Sequence, residues 1–241
     1  MVIGQNLEGL SNVPSEKVEE QLKKGGVPPK RVVYQPSHQT DTGENWNEAE
    51  VCNAIVEQAM AIPSKLVEFK VWSYDRDDVH HPRQGSNSMI EHTSAVIDGK
   101  ISGYAWEMKE GRKHKPDVWV SVHVNGATER NAVIGFVHGF DLNESVCREL
   151  AYDLVTEISE ATGMENGGVM RDAELARNDY VCQKSGKPAF YSLCELNNYA
   201  TQRVLLEIGD NAVSRDFLLD PKNQRRIGKA IKKVLCRWYE D

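Results

Sequence analysis

The chain has 241 residues, 40% hydrophobic and 27% charged, and 29 Lys and Arg against 36 Asp and Glu give a net charge of −7. That is enough chain for one large core without disulfide or metal staples, and an acidic balance with no basic block lacks the electrostatic footprint of a nucleic-acid binder. No apolar run approaches the ~20 residues that cross a bilayer, so no membrane span is expected.

Residues 1–30 read as an N-terminal arm in which Ser15 caps a short amphipathic helix carrying Val18 and Leu22, closed by Gly25-Gly26 and Pro28-Pro29. Residues 31–241 then read as one domain. Val32-Val33-Tyr34 forms a strand broken by Pro36, followed by a polar loop. Val51, Cys52, Ile55, Val56, Ala59 and Met60 recur at helical spacing up to Pro63. Residues 66–74 alternate as a second strand near an edge, 75–85 are turn-rich, and 86–110 suggest helix interrupted around Gly99 and Gly103. Val118 to Asn125 alternates strictly, four valines on one face and Trp119, Ser121, His123 and Asn125 on the other. A strand over 132–140 precedes a helix capped by Asn143, with Val146, Leu150, Leu154, Ile158 and Ala161 as its stripe and Gly163 at its end. After it come a loop region rich in Asn and Gly, a short helix over 189–199, a strand over 203–208 and a final helix over about 221–238.

Strands alternating with helices predict an α/β three-layer sandwich, a twisted, mostly parallel sheet flanked by helices, with ligands bound beyond the carboxyl ends of the strands. Cys52, Cys147, Cys182, Cys194 and Cys236 are odd in number and irregularly spaced, and all five read as packing residues.

His38 follows the first strand and His123 lies near the end of the alternating one. Alone, a His at a strand end is more often a satisfied polar residue than a ligand. Glu48 changes the balance. At roughly 100° per residue it shares the buried stripe of Val51, Cys52, Ile55 and Ala59, whereas Glu50 points the other way. A carboxylate facing a sheet is costly unless paired or bound to a cation. Two imidazoles and one carboxylate suit zinc while leaving a fourth position for water. Glu207 interrupts the apolar Val204-Leu205-Leu206 and Ile208. Either it pairs with a buried Arg or with backbone donors, or it takes a proton from the attacking water and delivers it to a leaving amine. The company of the other three favours the second. Ser121 and Asn125 share the His123 face, to orient the site, touch substrate or bond within the sheet layer. His138 is a weaker candidate for substrate contact. His80 and His81 read as surface residues, because adjacent residues rarely bind one ion together.

Tyr34-Gln35-Pro36-Ser37-His38, Asn47-Glu48-Ala49-Glu50-Val51, Asp117 to Asn125 and Val204 to Gly209, taken in order, closely resemble the motifs of zinc-dependent N-acetylmuramoyl-L-alanine amidases of the third amidase type. The resemblance runs from about Arg31 to Leu235. It implies a phosphorylase/hydrolase-like fold, Zn2+ held by His38, Glu48 and His123, and Glu207 as the catalytic acid/base. The activity implied is hydrolysis of the amide between N-acetylmuramic acid and L-alanine in peptidoglycan, as in a phage-type endolysin. The insert between Asp75 and Lys115 has no clear counterpart. The alternatives are another zinc amidohydrolase or carboxypeptidase of similar fold, or a peptidoglycan-binding protein without turnover. The opening residues lack a basic region leading into an apolar one. Cytoplasmic synthesis is therefore the expectation, with action on the wall after host lysis or holin-type export.

Overall fold

The computed structural model describes residues 28–39, 46–81, 96–97, 99–126, 128–175 and 180–240. The arm helix and the reading of residues 86–95 lie outside them. Along the chain come β1 (Arg31–Pro36), helix α1 (Glu48–Met60), β2 (Val67–Lys70), the short strands β3 (Val79–His80), β4 (Val96–Ile97) and β5 (Lys100–Ser102), helix α2 (Gly103–Lys113), β6 (Val118–Asn125), β7 (Ala132–Val137), helix α3 (Glu144–Thr162), β8 (Glu165–Arg171), β9 (Val181–Cys182), β10 (Lys187–Pro188), β11 (Gln202–Asp210), and helices α4 (Arg215–Leu219) and α5 (Pro221–Tyr239).

Six strands form the main sheet in the order β2-β1-β6-β11-β7-β8. Every neighbouring pair is parallel except β11 with β7. Alternation builds the layers. Val118, Val120, Val122 and Val124 join Val204, Leu206 and Ile208 in the core under α1, α3 and α5. The intervening residues face the opposite layer, where Trp119 packs with Val33, Val71 and Met108 of α2. Leu205 packs there with Ile134, Phe136, Phe190 and Leu193. Asn47 caps α1 by accepting from the Glu50 amide at 3.3 Å.

Several expectations change. The second strand stops at Lys70. Gly99 makes a turn between β4 and β5, and the helix after it starts at Gly103. The α3 stripe rotates to Cys147, Leu150, Ala151, Leu154, Val155 and Ile158, leaving Val146 exposed. The Asn-Gly-rich segment after α3 is the edge strand β8, held by pairing to β7 despite a composition poor in strand formers. No helix forms over 189–199. Turns replace it, tied by Asn198 Nδ2 donating to the Ser192 carbonyl at 2.9 Å. They are also stapled by a Cys182–Cys194 disulfide whose Cα atoms lie 5.8 Å apart. Two of the five cysteines are therefore bridged, a pairing their separation in sequence does not announce.

The acidic balance also hides a local exception, because α5 carries seven basic residues and no acidic one. Lys232, Lys233 and Arg237 turn back onto Glu68, Glu157 and Asp153. Lys222, Arg225, Arg226 and Lys229 line an outer groove.

Candidate active site

The site forms where β1, β6 and β11 end side by side. The Ser37 amide donates to the Val122 carbonyl at 2.8 Å, which sets His38 beside the end of β6. On the other flank Glu207 of β11 pairs in register with His123. Odd positions on both strands face away from the valine core, so His123 and Glu207 share one face. Within β11 Glu207 is the one position not fully buried. Just beyond it the register slips, and Gly209 adopts φ +75° where a Cβ would lie 2.7 Å from the Ser214 Cβ. Such a bulge beside a site re-aims the neighbouring side chain.

Glu48 opens α1 and is 1% exposed, whereas Glu50 is exposed, as the helical register predicts. The Glu48 carboxylate reaches the same strand end. Its Oε1 lies 3.3 Å from His123 Nδ1 and accepts from the Val124 amide at 3.3 Å. Burial pushes the His123 imidazole down, but the Glu48 hydrogen bond and the charges of Glu207, Glu48 and Glu107 outweigh it and raise the pKa.

His38 is held by a residue that sequence reasoning passed over. Its Nδ1 lies 3.2 Å from both carboxylate oxygens of Glu107, on the fully buried face of α2. Glu107 also accepts from Gln35 Nε2 at 2.6 Å and from the Ser73 amide and hydroxyl at 3.0 and 2.8 Å. Burial alone would raise its carboxyl, yet the His38 charge and hydrogen bond, with those from Gln35 and Ser73, hold it below the usual range. Gly103 makes this approach possible, since a Cβ there would lie 2.7 Å from Ser73 Oγ and 3.5 Å from His38 Nε2. The signal was present: Glu107 lies on the stripe of Tyr104, Met108 and Gly111, as Glu48 does on its own helix. His81 corrects the surface reading. Both its ring nitrogens are buried, and its ring centroid lies 6.4 Å from that of His38.

Other candidates are engaged in hydrogen bonds within the fold. Ser121 donates to Gln35 Oε1 at 2.7 Å and accepts from Trp119 Nε1 at 3.1 Å. His138 engages Asp172 Oδ1 at 2.9 Å and Ser185 Oγ at 3.0 Å, using both ring nitrogens. The Asn125 carbonyl accepts from the Asn211 amide at 2.8 Å.

Among the described residues no three His, Cys, Asp or Glu side chains stand together as a ready-made metal-holding group. The structure joins Glu48 to His123 and pairs His38 with Glu107 one strand away. The donor chemistry fits a zinc-type ion nonetheless. His123 Nε2 is buried with no hydrogen-bond partner. Imidazoles braced by carboxylates are the usual support of metal-binding histidines. No helix among the described residues is long and apolar enough to cross a membrane.

The family model described as N-acetylmuramoyl-L-alanine amidase matches residues 32–237. No curated protein sequence matches the chain. Among solved structures, the fold is similar to the catalytic domain of CwlV, an N-acetylmuramoyl-L-alanine amidase from Bacillus (Paenibacillus) polymyxa var. colistinus, at 17% identity and a TM-score of 0.56, covering 87% of this chain and 97% of that one. It is also similar to AmiC2 of Nostoc punctiforme, at 17% identity and a TM-score of 0.54, covering 88% and 98%. A third likeness is to Ami1 from Mycobacterium smegmatis, at 12% identity and a TM-score of 0.55, covering 87% and 96%.

Proposed function

The chain belongs to the N-acetylmuramoyl-L-alanine amidase family, and from that premise we propose that it holds zinc through His38, Glu48 and His123 and uses Glu207 as its acid/base. The reaction is hydrolysis of the amide between N-acetylmuramic acid and L-alanine in peptidoglycan. The observation that carries the residue assignment is that His123 and Glu207 pair side by side near the carboxyl ends of adjacent parallel strands, with the Glu48 carboxylate, from the first turn of α1, 3.3 Å from His123.

When bound, zinc polarises the scissile carbonyl and makes water a better nucleophile. Glu207, part-buried where its strand neighbours are buried, accepts the proton of the attacking water. As the C–N bond breaks it returns that proton to the departing alanine amine. Glu107 fixes the His38 ring through Nδ1, and Nε2 is the nitrogen that would ligate the metal.

The test is the product of purified peptidoglycan after digestion. New L-alanine amino termini, lost on removal of zinc by a chelator and restored by its return, are the expected result. Reducing sugar ends without amino termini would overturn the reading. Metal analysis of His123→Ala separates the ligand assignment from the activity, because full zinc occupancy in that variant would refute the assignment.

A further inference from the structure

A second cavity lies beside the site, at the carboxyl end of the edge strand β2. It holds about 380 Å³ and is lined by Glu57, Lys70, Trp72, Asp75, Arg76 and Trp106. Its walls are wired to the catalytic cluster. Trp72 Nε1 donates to the Ser37 carbonyl at 2.9 Å, one residue before His38. Tyr74, packed on Trp72 with ring centroids 5.1 Å apart, accepts through its hydroxyl from Asn47, the cap that precedes Glu48. Trp106 directly precedes Glu107 on α2. The cavity is therefore an extension of the site along the strand ends, where open α/β sheets bind ligands.

We propose that this cavity is a saccharide subsite that takes the glycan strand flanking the scissile amide, as a neutral N-acetylated hexosamine. It rests on the amidase reading for which polymer supplies the sugar, and on the cavity itself for the sugar chemistry. Two half-buried indoles offer flat apolar surface to the C–H face of a pyranose. Arg76 stacks over Trp106 with its guanidinium carbon 4.3 Å from the ring centroid, which covers one indole face, holds the ring in place and adds polar donors to the cavity wall. Lys70 sits 5.4 Å from the Trp72 centroid.

Charge selects between the two halves of the substrate. Lys70 is paired with Glu57 at 2.9 Å, and Arg76 with Asp78 at 2.6 Å. With Asp75 also on the wall, the cavity has no surplus cation to attract an acidic stem peptide. It does hold a buried donor without an acceptor, the Nε–H of Arg76. An unpaired buried donor is costly, and a sugar hydroxyl or acetamido carbonyl is an acceptor that brings no charge.

The experiment uses the full chain and peptide-free N-acetylglucosamine oligosaccharides, with binding read by tryptophan fluorescence in the presence and absence of a chelator. Saturable binding in both conditions is expected. Trp106→Ala and Arg76→Ala should each weaken it about tenfold, an effect of the size a lost aromatic or cation–π platform produces. Trp106→Phe keeps an aromatic face and should retain part of the binding, which keeps the test decisive if the alanine variant does not fold. No saturable binding by the parent chain, unchanged affinity in a folded Trp106→Ala or Arg76→Ala variant, or preference for a free acidic stem peptide would overturn the proposal. Binding that persists in a protein releasing no alanine amino termini would refute the amidase reading and leave the saccharide subsite standing.

Discussion

Strands β6 and β11 each belong to two different molecules, chemically speaking. On the face under α1, α3 and α5 Val118, Val120, Val122 and Val124 of β6 and Val204, Leu206 and Ile208 of β11 form an unbroken apolar surface. On the opposite face the same strands carry Trp119, Ser121, His123, Arg203, Leu205 and Glu207, and on β6 polarity rises toward the carboxyl end. A period of two lets one backbone serve both needs, and substitutions one residue apart should therefore have unrelated consequences.

The sharpest test is the neighbouring pair on β11. Glu207→Gln keeps the shape and removes the proton carrier, so wall hydrolysis should fall by roughly 10²–10⁴-fold, with zinc content and melting temperature close to the parent. Leu206→Ala, one residue away and fully buried in the helix-covered core, should do the reverse. Urea unfolding should show a loss of about 2–5 kcal/mol, with turnover per folded molecule retained. Equal damage to both properties in both variants would break the comparison.

Smaller effects should follow the supporting residues. Glu107→Gln leaves His38 without its anionic brace, and chelator competition should show zinc affinity falling by roughly 10–100-fold. Asp210 lies just past the bulge, where its carboxylate accepts from Ala212, Thr128 and Glu129 amides at 2.8, 2.9 and 3.0 Å. Burial raises its pKa, but those bonds and the Thr128 hydroxyl lower it below the ordinary 3.8. A carboxyl depressed on folding stabilises above its unfolded pKa and loses that contribution as pH falls through its folded value. The stability gap between parent and Asp210→Asn should therefore be full at neutral pH and narrow below about pH 4. Glu50→Gln should be the mildest, within about 0.5 kcal/mol in stability and near the parent in activity. A large effect would place the wrong acid of α1 at the site.

The alternation of β6 made its two faces readable directly, and the position of Glu48 on a buried stripe made it a candidate before any contact was known. Glu107 obeyed the same rule but sat in Trp106-Glu107-Met108-Lys109-Glu110, where charged neighbours make it look like an ordinary solvated helix residue. Only the packing of α2 over His38 reveals its partner. His81 and the Cys182–Cys194 pair were hidden for a related reason: each depends on how a long connection folds back, and local periodicity carries no information about that. β8 was masked by its glycines, because an edge strand is stabilised by its neighbour more than by its own composition.

The place of β11 in the sheet has a consequence for how the protein is born. Of the six described strands of the sheet it is the last to be made, yet it lies between β6 and β7, joining the β2-β1-β6 group to the β7-β8 pair. Until it inserts, both groups present an open edge, the arrangement most exposed to wrong pairing with other chains. The same strand brings Glu207. A ribosome-bound chain ending before it therefore lacks both a continuous sheet and the proposed proton carrier, so sheet closure and the assembly of the proposed catalytic cluster become one event. Contacts this distant in sequence are slow to form, and a delay between synthesis and activity is written into the strand order itself.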